Sequence, residues 1–184
     1  MVLALRGAMK MKKNKIVLNR IINVNFDYIL NERNVLHFIG IMKREKNKNP
    51  IQPISGTKVP RFAGPSTFAR LPELRDVESC DVAIVGIPFD AGTSYRPGAR
   101  FGPMSIRQAS RHLRTNYHPS YDVEPFKVQQ VADAGDITCN PFNIDEAIKQ
   151  IEEGATELLN KVGGIISLGG DHTIALPLLR AVNK

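Results

Sequence analysis

Four consecutive residues near the end of the printed sequence, Gly169-Gly170-Asp171-His172, are of types that can do chemistry. They follow an apolar run, so they stand where a buried strand would end and a helix would begin. Two glycines allow a tight turn, which aims the next side chains into a crevice. The imidazole of His172 is a potential metal ligand, and Asp171 could cap the following helix or orient a ligand. Taken alone, such a sequence more often serves a turn than a metal site.

Other polar residues with possible roles are scattered along the chain. Asp90, Asp133 and Asp136 stand near the ends of predicted strands, and on position alone the last two could be metal ligands. We expect His112, on a helix, and His118, in a Pro-containing loop, to be surface or structural residues.

The two cysteines, Cys80 and Cys139, are not in a CxxC spacing. They predict neither a disulfide framework nor a zinc site, and a reducing compartment is the simpler interpretation.

Three short apolar segments predict the strands that must position these residues. They are "CDVAIVGIP" from Cys80, a stretch near residues 128–132, and "GIISLGGD". Near-continuous apolar strands that alternate with helices are typical of a parallel sheet covered by helices. The carboxyl ends of such strands share one edge, so we expect the segments 88–103, 133–143 and 169 onward to open there.

Two helical patterns separate the strands, and a third follows them. Pro103 suits the first turn of a helix whose apolar residues Ile106, Ala109 and Leu113 would share one face. Apolar residues at three- and four-residue steps predict a helix over 144–162, with Asn143 as its N-cap. Pro177 indicates that the helix after His172 starts late or is distorted, because proline is tolerated only near a first turn.

Charge divides the chain into two parts. The sequence carries a net charge of +7, but residues 1–48 hold eleven basic and three acidic residues, and the remainder holds fourteen and fifteen. No aromatic or Arg-rich recognition pattern accompanies the basic part, so we expect no nucleic-acid partner. No apolar run approaches the roughly 20 residues of a membrane span, so we expect no membrane partner either.

The predicted domain organisation follows this division. Residues 1–48 form a basic leader that we expect to be disordered, and residues 49–184 form the folded domain. The leader partly resembles an organellar transit segment, but we favour an extension unrelated to the fold, with Met42 a plausible start. We expect a cytoplasmic protein, or a mitochondrial one if the leader is a transit segment. Five prolines from Pro50 to Pro72 predict an extended arm on the surface.

Four segments in order resemble the ureohydrolase (arginase/agmatinase) family, specifically its agmatinase and guanidino-acid hydrolase branch. They are "QPISGTKVPRFAGPSTFARLP", "GIPFDAGTSYRPGARFGPMSIR", "VADAGDI" and "SLGGDHTIALPLLRA". The resemblance covers residues from about 49 to 184, and it corresponds to the amino-terminal part of that family.

The resemblance implies a three-layer α/β/α sandwich around a parallel sheet, incomplete at the carboxyl end. It implies hydrolysis of a guanidinium C–N bond of agmatine or a guanidino acid, releasing urea, at two bridged Mn²⁺ ions that lower the pKa of a shared water. His172 matches the family's first metal-binding histidine, and no catalytic residue is assigned. We expect Asp133 and Asp136 to tie loops by hydrogen bonds, and Arg96 and Arg100 to be structural, since like charges repel.

The family's remaining metal ligands come from an Asp-x-His-x-Asp and an Asp-x-Asp motif, and neither occurs in this sequence. We therefore expect this chain alone to be inactive. The hypotheses are a fragment of a complete hydrolase, which would be a homo-oligomer, or a non-catalytic truncated subunit that binds full-length ureohydrolase. A dinucleotide-binding enzyme is disfavoured, because no Gly-x-Gly-x-x-Gly follows the first strand.

Overall fold

A single parallel sheet organises the computed structural model, which describes residues 49–114 and 116–184. Its strands are β1 (Val82–Ile87), β2 (Val131–Asp136) and β3 (Ile165–Gly169), in the spatial order β2-β1-β3. Both pairings are parallel, as the alternation of strands and helices predicts. The expectations about residues 1–48 lie outside the described residues.

The central strand β1 contacts a different layer on each face. Its residues Ala83 and Val85 pack in one apolar cluster with Leu158 and Val162, which lie in and just after the long helix. Ile84 points to the other face, into a cluster formed by the arm and by the neighbouring strands. Because successive strand residues point to opposite faces, these contacts place one layer on each side of the sheet. The predicted α/β/α class is confirmed.

The helices are α1 (Gly102–Ser110), α2 (Pro125–Val128), α3 (Ile144–Leu159) and α4 (Ala175–Val182). The longest, α3, has the predicted N-cap, since the Asn143 side chain accepts a hydrogen bond from the Glu146 amide at 3.1 Å. Short 3₁₀ turns lie at Phe68–Arg70, Leu74–Asp76, Ala99–Phe101 and His172–Ile174. In the described part of the chain, no helix has the length and apolarity that a membrane span requires.

The apolar residues expected to share one face of α1 do not form its buried face. Ile106 and Leu113 are exposed, Leu113 lies beyond the end of the helix, and Arg107 is one of the buried residues instead. Ion pairs of Arg107 outweigh apolar periodicity in orienting this short helix, because a buried charge must lie beside its partners.

The second strand begins at Val131 rather than near Val128. Residues Pro125–Val128 form the short helix α2, in which proline occupies a first-turn position.

The helix after His172 starts late, as Pro177 predicts. A 3₁₀ turn precedes α4, so the proline lies in the first turn of the α-helix itself.

Candidate metal centre

The turn at the end of β3 needs glycine at position 170. Its backbone φ is +62°, and the peptide bond between Gly169 and Gly170 is cis. A Cβ atom on Gly170 would lie 2.5 Å from the Ile87 carbonyl oxygen and 2.8 Å from that of Phe89. The turn is therefore packed directly on the backbone that leaves β1, and a side chain here would be strained as well as crowded.

Asp171 connects this turn to the segment after β1. One carboxylate oxygen accepts a hydrogen bond from the Thr173 amide at 2.8 Å, which caps the 3₁₀ turn. The other accepts from the Gly92 amide, also at 2.8 Å. The backbone amide of Asp171 donates to the Phe89 carbonyl oxygen at 2.8 Å. Two of the three segments expected at this edge, 88–103 and 169 onward, thus meet here.

His172 lies on the 3₁₀ turn between β3 and α4, directly after this connection. Its side chain is exposed at the carboxyl edge of the sheet, the edge at which ligands bind in open α/β sheets. Within residues 49–114 and 116–184, no group of three or more His, Cys, Asp or Glu side chains is arranged to hold a metal ion. The structure thus offers one exposed histidine donor at this edge, and its role as a metal ligand remains a prediction.

Asp90 is fully engaged within the loop that follows β1. It is buried and accepts hydrogen bonds from the Arg100 Nε atom at 2.6 Å and from the Gly98 amide at 2.7 Å. The hydrogen bond from Arg100, together with the backbone amides, outweighs burial and lowers the pKa of Asp90 from 3.8 to about 2. Arg100 therefore stabilises the loop that follows β1 by pairing with Asp90. Arg96 lies over the Tyr95 ring, 5.1 Å from its centroid.

Asp133 and Asp136 meet a residue whose role the sequence did not predict, Arg107. The Arg107 Nε atom lies 2.8 Å from a carboxylate oxygen of Asp133, and its Nη1 atom lies 2.6 Å from one of Asp136. Asp133 also accepts from the Phe68 amide at 2.6 Å, which ties the arm to β2. Burial disfavours the charge on Arg107, but these hydrogen bonds outweigh it and raise the pKa of Arg107. The hydrogen bonds connect α1, β2 and the arm.

The other candidates lie apart from this turn. His112 and His118 are exposed, and the ring of His118 lies against that of Tyr121 with 4.7 Å between centroids. Cys80 is buried, and burial raises the pKa of the Cys139 thiol. A cleft of about 590 Å³ lies beside Arg107, and His172 is not among its lining residues.

Comparisons with known proteins agree with the fold. The family model described as the Arginase family matches residues 80–184. A guanidinobutyrase from Pseudomonas aeruginosa is 43% identical over 141 residues, which are 75% of this chain and 44% of the relative. A mitochondrial guanidino acid hydrolase from Homo sapiens is 44% identical over 134 residues, 72% of this chain and 38% of the relative.

Solved structures give the same result. The proclavaminate amidino hydrolase from Streptomyces clavuligerus superposes with a TM-score of 0.62 at 39% identity, covering 67% of this chain and 40% of that one. The chain spans less than half the length of each of these relatives. The family match covers more than half of this chain and includes all three strands of the sheet, so the chain belongs to the arginase family.

Proposed function

We propose that this chain forms the His172-bearing part of a ureohydrolase that cleaves a guanidinium C–N bond and releases urea. The observation that carries the proposal is the match to the Arginase family across the sheet and the Gly-Gly-Asp-His turn. The exposed position of His172 at the carboxyl edge of a parallel sheet supports it, since functional groups collect at that edge.

The metal proposed for this centre is Mn²⁺, two ions in the complete site, with His172 as one ligand. The described residues do not hold such a centre by themselves, since they contain no cluster of three or more donors. Two cations about 3.5–4 Å apart need several carboxylates to offset their repulsion. The sequence contains neither Asp-x-His-x-Asp nor Asp-x-Asp. We therefore propose that the chain is inactive on its own and that the remaining ligands come from elsewhere in a complete enzyme.

The proposed substrate is a small guanidino compound, either agmatine or a guanidino acid. The names of the relatives support this class, as they include a guanidinobutyrase, a guanidinopropionase and a guanidino acid hydrolase.

A second proposal is that the chain is a non-catalytic subunit that docks onto a full-length ureohydrolase. It is favoured by exposed apolar side chains on α4, where Leu176, Leu179 and Val182 are 46%, 69% and 58% exposed. A pull-down against a complete guanidino hydrolase at micromolar concentration tests it. Specific retention would support a docking subunit, and the absence of retention would exclude it.

The remaining proposals concern partners and location. We propose a homo-oligomer for the complete enzyme, without nucleic-acid or membrane partners, in the cytoplasm or in mitochondria. The near-neutral charge of residues 49–184 supports the absence of a nucleic-acid partner. Some relatives, such as the guanidino acid hydrolase of Homo sapiens and the agmatinase of Gallus gallus, are named mitochondrial.

A chimaera tests the proposed activity. Residues 49–184 would replace the matching part of the guanidinobutyrase from Pseudomonas aeruginosa, which supplies the rest of the domain. Urea release would then be measured with 4-guanidinobutyrate, 3-guanidinopropionate and agmatine, in the chimaera and in this chain alone. We expect Mn²⁺-dependent urea release from the chimaera and none from the chain. A well-folded chimaera that releases no urea from any of the three compounds would contradict the proposal.

A further inference from the structure

Arg70 is the most deeply buried arginine in the described part of the chain, only 3% exposed, and it stands on an unusual backbone. The φ angles of Ala69 and Arg70 are +50° and +62°, a region that residues other than glycine rarely occupy. The turn is held in place, since the Ala69 amide donates to the Ser110 hydroxyl at 2.7 Å. Strained backbone that persists in a packed structure is a reason to look for a ligand or a clamp.

The guanidinium group of Arg70 is incompletely paired. Its Nη2 atom donates to the Val59 carbonyl oxygen at 2.9 Å, but its Nε and Nη1 atoms are buried without a hydrogen-bond partner. Among the described residues no carboxylate forms an ion pair with it. Asp133 accepts from the amide of Phe68, two residues before Arg70, but its two oxygens are occupied by that amide and by Arg107. A buried cation without a counter-charge is strongly unfavourable.

A second incompletely paired arginine, Arg111, contacts the turn 59–64, which also contains the Val59 carbonyl group that Arg70 binds. The Nη2 atom of Arg111 donates to the Ala63 carbonyl oxygen at 2.9 Å, and its Nε atom is buried without a partner. The two arginines thus bind the two ends of the turn 59–64 through neutral carbonyl groups. Three donor atoms remain without a hydrogen-bond partner: Nε and Nη1 of Arg70 and Nε of Arg111. The two guanidinium groups together carry two positive charges.

We propose that Arg70 and Arg111 form a binding site for one oxyanion, a carboxylate or a phosphate, beneath the turn 59–64. Guanidinium groups prefer these oxygen acceptors, and an anion would satisfy the unused donors and compensate the buried charge together. The anion comes either from solution or from an acidic side chain of a second copy of this chain. The site does not depend on the proposed metal centre, because none of its contacts involve the turn at His172.

Thermal unfolding of residues 1–184 tests the site with inorganic phosphate and with acetate as probes. Circular dichroism would follow unfolding at low micromolar protein and pH 7, with ionic strength held constant by sodium chloride. We expect Tm to rise by about 5–10 °C at a phosphate concentration a hundred times the dissociation constant. Arg70→Met should abolish that rise. Arg75→Met is the matched control, since Arg75 is an exposed arginine just beyond the arm, and it should keep the wild-type response.

Sedimentation velocity on the same samples distinguishes the two sources of the anion. If a second copy supplies the carboxylate, the wild type associates more strongly than Arg70→Met in the absence of added anion. If the anion is free in solution, phosphate or acetate raises Tm and the oligomeric state is the same in both proteins. Either result supports the site. Identical responses of wild type and Arg70→Met to phosphate, acetate and protein concentration would overturn it.

A direct titration keeps the proposal testable if Arg70→Met does not fold. Phosphate would be titrated into the wild type and into Arg70→Lys, which keeps the charge but not the planar donor set. We expect saturable heat of binding in the wild type. In Arg70→Lys we expect the dissociation constant for phosphate to be at least about tenfold larger. Absence of saturable binding in the wild type, together with equal association of the wild type and Arg70→Lys, would overturn the proposal.

Discussion

Asp171 shows how much of the candidate site rests on one side chain. Its two oxygens hold the Thr173 and Gly92 amides, so it joins the turn of His172 to the loop after β1. We expect Asp171→Ala to lower the free energy of unfolding by about 1–3 kcal/mol, because it removes a cap and a second backbone hydrogen bond. Urea denaturation measures this. Asp145→Ala, at an exposed position in the first turn of α3, should cost less than about 1 kcal/mol.

Asp90 makes stability depend on pH in the acid range. Its pKa is lowered from 3.8 to about 2 by Arg100 and by backbone amides. The folded chain therefore binds this proton less readily than the unfolded chain, and the contribution of Asp90 is complete above pH 4 and lost as pH falls through 2. We expect Asp90→Asn to lose less stability than the wild type between pH 4 and pH 2. Parallel pH profiles of the unfolding free energy would contradict this assignment.

The sequence predicted some of these residues but not their partners. The Gly-Gly-Asp-His turn was recognisable because glycines and an apolar run mark the end of a strand. The resemblance also led to the expectation that Asp133 and Asp136 tie loops by hydrogen bonds, and the structure shows such bonds. Arg107 was missed because an arginine on a short helix ordinarily indicates an exposed position. Only the contact between α1 and β2, far apart in sequence, reveals its role.

At the scale of elements, the ion pair between Arg107 and Asp133 joins α1 to the edge strand β2. The Asp133 side chain is 2% exposed and that of Arg107 is 11% exposed. We expect Arg107→Met to lower the free energy of unfolding by about 3–5 kcal/mol, because it leaves a buried carboxylate without its cation. Arg75→Met is the control, since it breaks an exposed pair with Glu73 and should cost at most about 1 kcal/mol. Equal losses in the two variants would contradict this role for α1.

The elements themselves were largely predictable, and the exceptions have a physical cause. The strands and α3 were predicted because buried apolar residues follow the period of each element. The apolar residues predicted to share one face of α1 remain exposed, since long-range ion pairs orient this helix. The predicted start of β2 was about three residues too early, because Pro125 begins a short helix. Apolar content alone does not indicate such a helix.

At the scale of the whole molecule, α4 leaves apolar side chains exposed and β3 leaves a strand edge unpaired in the described part of the chain. Leu176, Leu179 and Val182 are exposed on α4, and in the described part of the chain β3 pairs only with β1. Such surfaces promote association. We expect the isolated chain to associate with increasing concentration, and Leu179→Gln to reduce association with little change in thermal stability. Sedimentation velocity measures this.

The control for this prediction is Leu113→Gln, which changes an exposed leucine on another part of the surface. It should leave association unchanged. If both substitutions reduce association to the same extent, general hydrophobicity rather than the α4 surface drives it.

His172 is proposed to bind manganese in a complete enzyme. The most direct test is the number of Mn²⁺ ions bound per chain, measured by elemental analysis on the chimaera with guanidinobutyrase. We predict two ions in the parent chimaera and in His118→Asn, a matched exposed histidine, but at most one in His172→Asn. Urea release should fall by more than about 100-fold in His172→Asn, beyond the 10–100-fold typical of outer-shell groups. Two ions and unchanged urea release in His172→Asn would contradict the account.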